Sequence, residues 1–457
     1  MTASKAEFQW FRQPDAEAFI ATRLDEFLAA MPAATAFSQR LMAHTSSRLF
    51  DWLDHLVLAG GDLAQGQLAD LGFVPEGVPA DPGDTVYHHP GAILPRLVLR
   101  RESSADPGST LVAAIQVEDA SFFLMANHIS VPIDGSLVSP FRRAKVWQDE
   151  GREFLVIERR GHRGFVPVDM PPEYVQQALQ AFERWATRPR LYADEREGMV
   201  HTLNLARTLA ADLGADTAAW IAFAAERSYW ERRNQAGQIQ KARQDSLGLG
   251  WANHDHHTFR SSRSVFPLLI EILETLGFHP RERFYAGAEA GWGAQVMEQP
   301  ACRFAVFADV DLSPDEVEGD FAHRPLLPRG ELGTVGLWCA LHGEAMLSAG
   351  LHHLAGRFDF DAVTQDLDAR GIKMIHPFSE FPYLRQAFTR GERWQVAPDR
   401  LDRLVQAAQI STAQRAQFAT EGVIGSHLEN IQRADGFKGF NQERISDIIR
   451  RTDPRTH

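Results

Sequence analysis

Cysteine is nearly absent from this 457-residue chain, with only Cys302 and Cys339 present. Two thiols cannot build a disulfide framework, so the expectation is a reducing compartment in which both are buried and reduced. Positive charge is in deficit, 47 Lys and Arg against 60 Asp and Glu, for a formal charge of -13. Nucleic acid and anionic membrane surfaces both need clustered cations, so no nucleic acid and no membrane partner is expected. Long apolar runs are missing too: no stretch of about 18 apolar residues occurs, which excludes a transmembrane helix. Met1 to Ala30 is charged and amphipathic rather than continuously apolar, unlike a signal peptide. A cytoplasmic protein is the expectation, and assembly into a homo-oligomer is compatible with the sequence. Two hydrolase signatures, Gly-x-Ser-x-Gly and His-Glu-x-x-His, are also lacking.

The composition, 44% hydrophobic and 23% charged, is that of a globular chain long enough for two or three domains. From Asp15 to Leu58 apolar residues recur at helical spacing, and Pro32 divides them into two helices. Strand character follows over Ile93 to Leu99, Thr110 to Val117, Ser121 to Ile129 and Arg152 to Glu158. Pro171 and Pro172 then open helical patterning through Val175 to Trp185 and Thr202 to Ala242, expected to pack on that sheet. Residues 1–245 read as an amino-terminal α+β domain, ending at the Gly-containing joint Ser246 to Gly250.

Residues 246–457 are more regular. A strand at Asn253 to Phe259 leads to a helix from Arg263 to Leu276, closed by Gly277, and to strands at Arg281 to Tyr285, Gly293 to Glu298 and Arg303 to Val310. The Gly-rich run Gly287 to Gly293 lacks the Lys-Ser/Thr ending of a phosphate loop and reads as a hairpin turn. A second copy of this grammar has a strand around Met346 to Ala355, a helix from Asp359 to Arg370 stopped by Gly371, and a strand from Ile372 to Pro377. A helical insertion, Pro398 to Ala419, precedes a strand at Val423 to Gln432 and a last helix from Gln442 to Arg450. The fold class is α+β, with paired βαβββ modules in the carboxy-terminal domain.

Three segments in this half carry the chemistry: Asn253 to Arg260, Gly350 to Arg357 and His427 to Arg433. They supply His256 in the first strand of one module, His353 in the first strand of the other, and Glu429 in the last strand. Two imidazoles and one carboxylate form the set that holds a divalent metal on one face and leaves the rest open. Arg260 lies two alternations from His256 on the same strand face, and its guanidinium fork suits a carboxylate. Arg357 stands in the same relation to His353, as a second carboxylate anchor or a structural ion pair. Alternation puts Arg433 on the face of Glu429 and Gln432 on the other. His257 and His352 read as packing residues or as groups that support the metal-binding residues from behind.

The run Gly350-Leu351-His352-His353-Leu354-Ala355, with Phe358 to Val363 and Arg370-Gly371-Ile372 after it, resembles the second histidine segment of 4-hydroxyphenylpyruvate dioxygenases. His427-Leu428-Glu429-Asn430-Ile431-Gln432-Arg433, with Gly436 to Phe440 soon after, is similar to their carboxylate-ligand strand. The pattern of His256 with Arg260, of His353 to Arg357, and of Glu429 with Gln432 and Arg433 more closely resembles the 2-oxoadipate dioxygenase/decarboxylase family, also called hydroxyglutarate synthase. The resemblance covers roughly Trp251 to Arg451. It implies a vicinal oxygen chelate fold, Fe(II) held by His256, His353 and Glu429, O2 and a small 2-oxo acid as partners, and substrate contacts from Arg260, Arg357 and Arg433. Oxidative loss of CO2 with hydroxylation of the shortened product is the implied reaction. The rival reading is a zinc hydrolase using the cluster His254, His256 and His257, although His257 and Thr258 stand where a metallo-β-lactamase-type site has Asp and His.

Overall fold

In the computed structural model, which describes residues 10–60, 62–101, 111–288, 290–441 and 453–456, the first helices form where the proline spacing places them. They are α1 (Pro14–Ala30) and α2 (Pro32–Thr45), each with proline in its first turn, where the missing N–H has no partner to lose. The apolar run beyond them is not helical but a strand, β1 (Leu53–Gly60), followed by α3 (Asp62–Asp70), β2 (Val74–Glu76), β3 (Asp84–His88) and β4 (Arg96–Arg101). Next come β5 (Leu111–Gln116), α4 (Ala120–Ala126), β6 (Phe141–Asp149) and β7 (Arg152–Arg159). The strand expected at Ser121 to Ile129 is therefore corrected to a helix. Asp119 accepts hydrogen bonds from the Ser121 and Phe122 amides, and that cap lets a short apolar run wind with Phe123 and Leu124 inward and Phe122 and Met125 outward.

These strands form one seven-stranded sheet in the order β2-β3-β4-β1-β5-β7-β6. The β1–β4 and β5–β7 pairs are parallel and the central β1–β5 pair antiparallel. One face packs on α1, α2 and α4 through Ile20, Phe27, Phe37, Phe123 and Phe154.

Four helices follow: α5 (Pro172–Ala186), α6 (Glu195–Leu213), α7 (Ala215–Glu231) and α8 (Gln235–Asp245). The expectation that they pack on the amino-terminal sheet is overturned. Trp185, Met199, Phe223 and Trp230 share one core with Phe259, Phe304, Leu354 and Leu428 of the carboxy-terminal sheet.

That sheet begins with β8 (His254–Arg260), α9 (Phe266–Thr275), β9 (His279–Tyr285), β10 (Trp292–Gln299) and β11 (Phe304–Asp311), so Gly287 to Gly293 falls mainly in the β9–β10 connection. Gly277 closes α9 at φ +78°, and the Phe278 amide reaches back to the Leu273 carbonyl, the expected left-handed cap. Short helices α10 (Pro314–Val317) and α11 (Thr334–His342) lead to β12 (His353–Arg357), α12 (Phe360–Asp368), β13 (Ser379–Phe381), β14 (Leu384–Phe388) and β15 (Glu392–Trp394). The insertion is α13 (Pro398–Gln406) and α14 (Thr412–Glu421), and β16 (Val423–Arg433) completes the unit. The order is β13-β14-β16-β12-β8-β11-β10-β9, with β15 attached to β16. Again the flanking pairs β8–β11 and β12–β16 are parallel and the central β8–β12 pair antiparallel.

Two βαβββ modules thus meet at β8 and β12, the vicinal oxygen chelate arrangement. Strand bounds differ from expectation in the second module: Ala345–Ala349 forms a π-turn, so β12 starts only at His353, and Ile372 to Pro377 contributes a single bridge, Met374 to Thr389. The helix expected from Gln442 to Arg450 lies outside the described residues. No helix among the described residues is long and apolar enough to cross a membrane.

Candidate metal centre

Register across the two central strands and β16 brings the three expected ligands together. Ala355 of β12 lies opposite both His256 and Glu429, and His353 lies two residues along on the same face. His256 Nε2 and His353 Nε2 each come within 3.1 Å of Glu429 Oε2. Their donor atoms all lie within 4.8 Å of one another, a spacing at which they could hold one cation. Among the described residues these three form one of two groups with metal-ligand spacing, the other being His352, His353 and His427.

His256 and Glu429 are both held from behind. Glu429 Oε1 accepts a 2.8 Å hydrogen bond from Gln386 on β14, and His256 Nδ1 lies 2.9 Å from Asp255 Oδ1. The Asp255 contact depends on a β-bulge, because Ala355 and Gly356 are consecutive whereas their partners, His256 and His254, skip Asp255. The extra residue lets Asp255 lie beside His256 rather than on the opposite face. A carboxylate on the far nitrogen fixes the imidazole's tautomer and raises its basicity. Without a cation, burial works against a charged His256, but Glu429 and Asp255 outweigh it and lift the ring to about 9. His353 moves the other way, lowered by burial despite Glu429.

Around the triad lies a cavity walled by Phe284, Trp292, Phe307 and Phe440 on one side and Phe378 and Phe388 on the other. Thr258 Oγ1 stands 2.8 Å from His353 Nε2. Arg260 faces this cavity as alternation requires, opposite Asp309 of β11 at 3.9 Å, beyond hydrogen-bond range. Burial pushes the Asp309 carboxyl up to about 8, against the pull of Arg260 and His256. Arg260 Nε, Asp309 Oδ1, Gln386 Oε1 and His427 Nε2 are all buried without a hydrogen-bond partner among the described residues. Such atoms cost free energy unless something polar fills the space between them, so the cavity is built for a charged ligand.

Arg357 and Arg433, expected at the substrate, are not among the residues that line this cavity, and Arg357 takes the structural alternative. Arg433 grips Asp255 with Nε at 2.7 Å and Nη2 at 3.0 Å, and its Nη1 donates to the carbonyls of Phe437 and Gly439. Arg357 Nε lies 3.5 Å from the same carboxylate. Both anchor the residue that orients His256. Gln432, on the other face, caps the Phe360 amide of α12.

The cluster behind the rival reading is split by the sheet. His254 and His257 turn to the helix-packed side, against Phe304 and, for His257, Phe223, while His256 alone faces the cavity. His352 and His427 reach the cavity wall, where their rings lie 4.6 Å apart. Reasoning from the sequence missed Asp309, Gln386, Thr258 and Asp255. An acid inside the otherwise apolar run Phe304 to Val310 was the available signal for Asp309. Cys302 and Cys339 are both free and buried, as expected.

No family model matches the chain, and no curated relative matches it either. Among solved structures, a variant of 4-hydroxymandelate synthase from Streptomyces coelicolor is 14% identical, spans 89% of this chain and 99% of its own, and superposes with a TM-score of 0.27. A xylose isomerase-like TIM barrel/4-hydroxyphenylpyruvate dioxygenase fusion protein is 11% identical over 89% of this chain and 52% of its own, with a TM-score of 0.24. Methylmalonyl-CoA epimerase from Mycobacterium tuberculosis is 13% identical over 40% and 87%, with a TM-score of 0.23. Scores this low leave strand order and register to carry the fold.

Proposed function

We propose that the chain is a non-haem Fe(II)-dependent dioxygenase that oxidatively decarboxylates a small 2-oxo acid, 2-oxoadipate-like, and hydroxylates the shortened product. The observation that supports it is the convergence of His256, His353 and Glu429 at 3.1 Å in an aromatic-walled cavity that also holds Arg260 facing Asp309 at 3.9 Å. When bound, Fe(II) supplies the one-electron chemistry with O2 that closed-shell side chains lack. The reaction balances without further reagents: one substrate carbon leaves as CO2, one oxygen atom of O2 enters the new carboxylate and the other becomes the hydroxyl.

The chain's own residues bind and orient. Arg260 offers its fork to the carboxylate remote from the reacting end, and Asp309, neutral near pH 7, donates a hydrogen bond to a substrate oxygen beside it. Phe307, Phe378, Phe388 and Phe440 keep water from the reacting carbons. Asp255 and Gln386 keep His256 and Glu429 aimed. The test is oxygen uptake by protein reconstituted anaerobically with Fe(II), against a panel of 2-oxo acids with CO2 release followed in parallel. Stoichiometric oxygen loss and CO2 release with one substrate is expected. Silence across the panel, with zinc in the purified protein, would sink the proposal.

A further inference from the structure

The amino-terminal sheet has the connectivity of the carboxy-terminal one. Strands β1 to β4 with α3 give the order β1-β4-β3-β2, as β8 to β11 with α9 give β8-β11-β10-β9. Strand β5, α4, β6 and β7 repeat β12, α12, β14 and β16, with the remaining strand reduced to the bridge between Asp134 and Arg143 on β6.

The likeness extends to individual atoms. Strand β1 is bulged at Asp54, as β8 is at Asp255: Leu53 and His55 pair with the consecutive residues Ile115 and Ala114. Asp54 Oδ2 lies 2.7 Å from His55 Nδ1, the counterpart of Asp255 with His256. Arg159 of β7 grips Asp54 with Nε at 2.7 Å and Nη2 at 2.8 Å, while its Nη1 donates to the carbonyls of His162 and Gly164. Arg433 does the same to Asp255, Phe437 and Gly439. Phe165 stands edge-on to His55 at 4.8 Å and under Arg159 at 4.6 Å, as Phe440 stands to His256 at 5.2 Å and Arg433 at 4.7 Å.

Register then identifies what replaced the other two ligands. His55 pairs with Ala114, which pairs with Leu155, as His256 pairs with Ala355 and Ala355 with Glu429. Val57 pairs with Val112 as Thr258 pairs with His353. Leu155 therefore occupies the position of Glu429 and Val112 that of His353. All three, His55, Val112 and Leu155, line one pocket.

We infer that the amino-terminal sheet carries a dismantled copy of the metal centre, which keeps one histidine with its orienting carboxylate and arginine and needs only Val112→His and Leu155→Glu to hold a divalent transition-metal cation. The wild-type chain accordingly takes one ion, at the carboxy-terminal site. The retained Asp54 serves a different end: it accepts Arg303 of the carboxy-terminal half at 3.1 Å.

Cobalt(II) titration followed by visible absorbance and metal analysis tests this. Wild type should bind one equivalent. His353→Val with Glu429→Leu, which gives the carboxy-terminal sheet the apolar pair that the other sheet folds with, should stay folded and bind none. Adding Val112→His and Leu155→Glu to that chain should restore one equivalent. A folded four-fold variant that binds no cobalt overturns the inference. Should that variant not fold, Val112→His with Leu155→Glu in the otherwise wild-type chain should raise binding from one equivalent to two, and a folded chain of that kind that stays at one equivalent overturns it equally. The inference rests on the metal reading of His256, His353 and Glu429. A wild-type chain that takes up no cobalt sinks both, whereas uptake by wild type alone sinks only the copy.

Discussion

Two sheets in one chain share strand order, bulge and an Asp-His-Arg set, yet treat charge in opposite ways. In the amino-terminal pocket Arg100 pairs with Asp84, Arg143 with Asp81 and Lys145 with Glu153, over a floor of Val57, Val112 and Leu155. In the carboxy-terminal cavity Arg260 and Asp309 stand apart and the donors of His256, His353 and Glu429 face one another. Partly exposed ion pairs add little and leave nothing over for a ligand, whereas buried unmatched groups are costly until a ligand joins them. The scaffold thus supplies position, and side-chain identity at two registers separates a site from a plain sheet.

Removing one ligand should break the comparison most completely. Glu429→Gln keeps the shape of the side chain but not its charge, and metal uptake should be lost, with any turnover lost along with it. Leu155→Ala, at the equivalent amino-terminal position, should leave metal content unchanged and cost about 2 kcal/mol in a denaturant melt. Equal metal loss in both variants would show that the sheets are not functionally distinct.

The shared Asp-Arg set should break both halves alike in stability and only one in chemistry. Asp54→Asn and Asp255→Asn each strand a buried arginine, at a cost of about 3 kcal/mol. Asp255→Asn alone should also weaken metal binding, by about 10- to 100-fold, because His256 loses its orienting partner.

A smaller effect is expected from the helices that join the carboxy-terminal core. Burial disfavours ionised Glu226, yet Arg188 and Arg190 hold its carboxyl down to about 2. The same arginines donate to the carbonyls of Met346 and Leu347, just before β12 and His353. Because the folded pKa lies below the unfolded one, this carboxylate's contribution is complete above about pH 4.5 and disappears as the pH falls toward 2. That contribution is about 3 kcal/mol, and acid titration of Glu226→Gln should show a flatter profile than wild type over that window. A wild-type profile identical to that of the variant would remove Glu226 from the account.

The smallest change sharpens the cavity itself. Arg260→Lys keeps the charge and loses the fork, so KM for a dicarboxylate 2-oxo acid should rise about tenfold, with a lesser effect on a monocarboxylate. An equal rise for both substrates would take Arg260 off the remote carboxylate.

The convergence of His256 and His353 was legible because modular repetition placed them on corresponding strands, and alternation added Arg260 on the same face. Asp255 was not, since a bulge breaks the alternation on which such reasoning depends. Gln386 and Phe388 lie on a five-residue strand inside a stretch that shows no period-2 pattern long enough to notice. The amino-terminal counterpart stayed hidden because only Asp-His is common to Leu53-Asp54-His55 and His254-Asp255-His256, and the likeness lies in register rather than in letters.

Arg303, just ahead of β11, reaches across to Asp54, and Arg48 from the amino-terminal half reaches back to the Arg433 carbonyl at 3.1 Å. Each half therefore lends a cation to the other's anchor. Over evolutionary time this divides the amino-terminal pocket into free and captive residues. Val112 and Leu155 can drift among apolar side chains, while Asp54 cannot change without stranding Arg159 and Arg303 together. Losing either half would leave the other with a buried partner unmatched, so the amino-terminal pocket acts as a brace for the carboxy-terminal one.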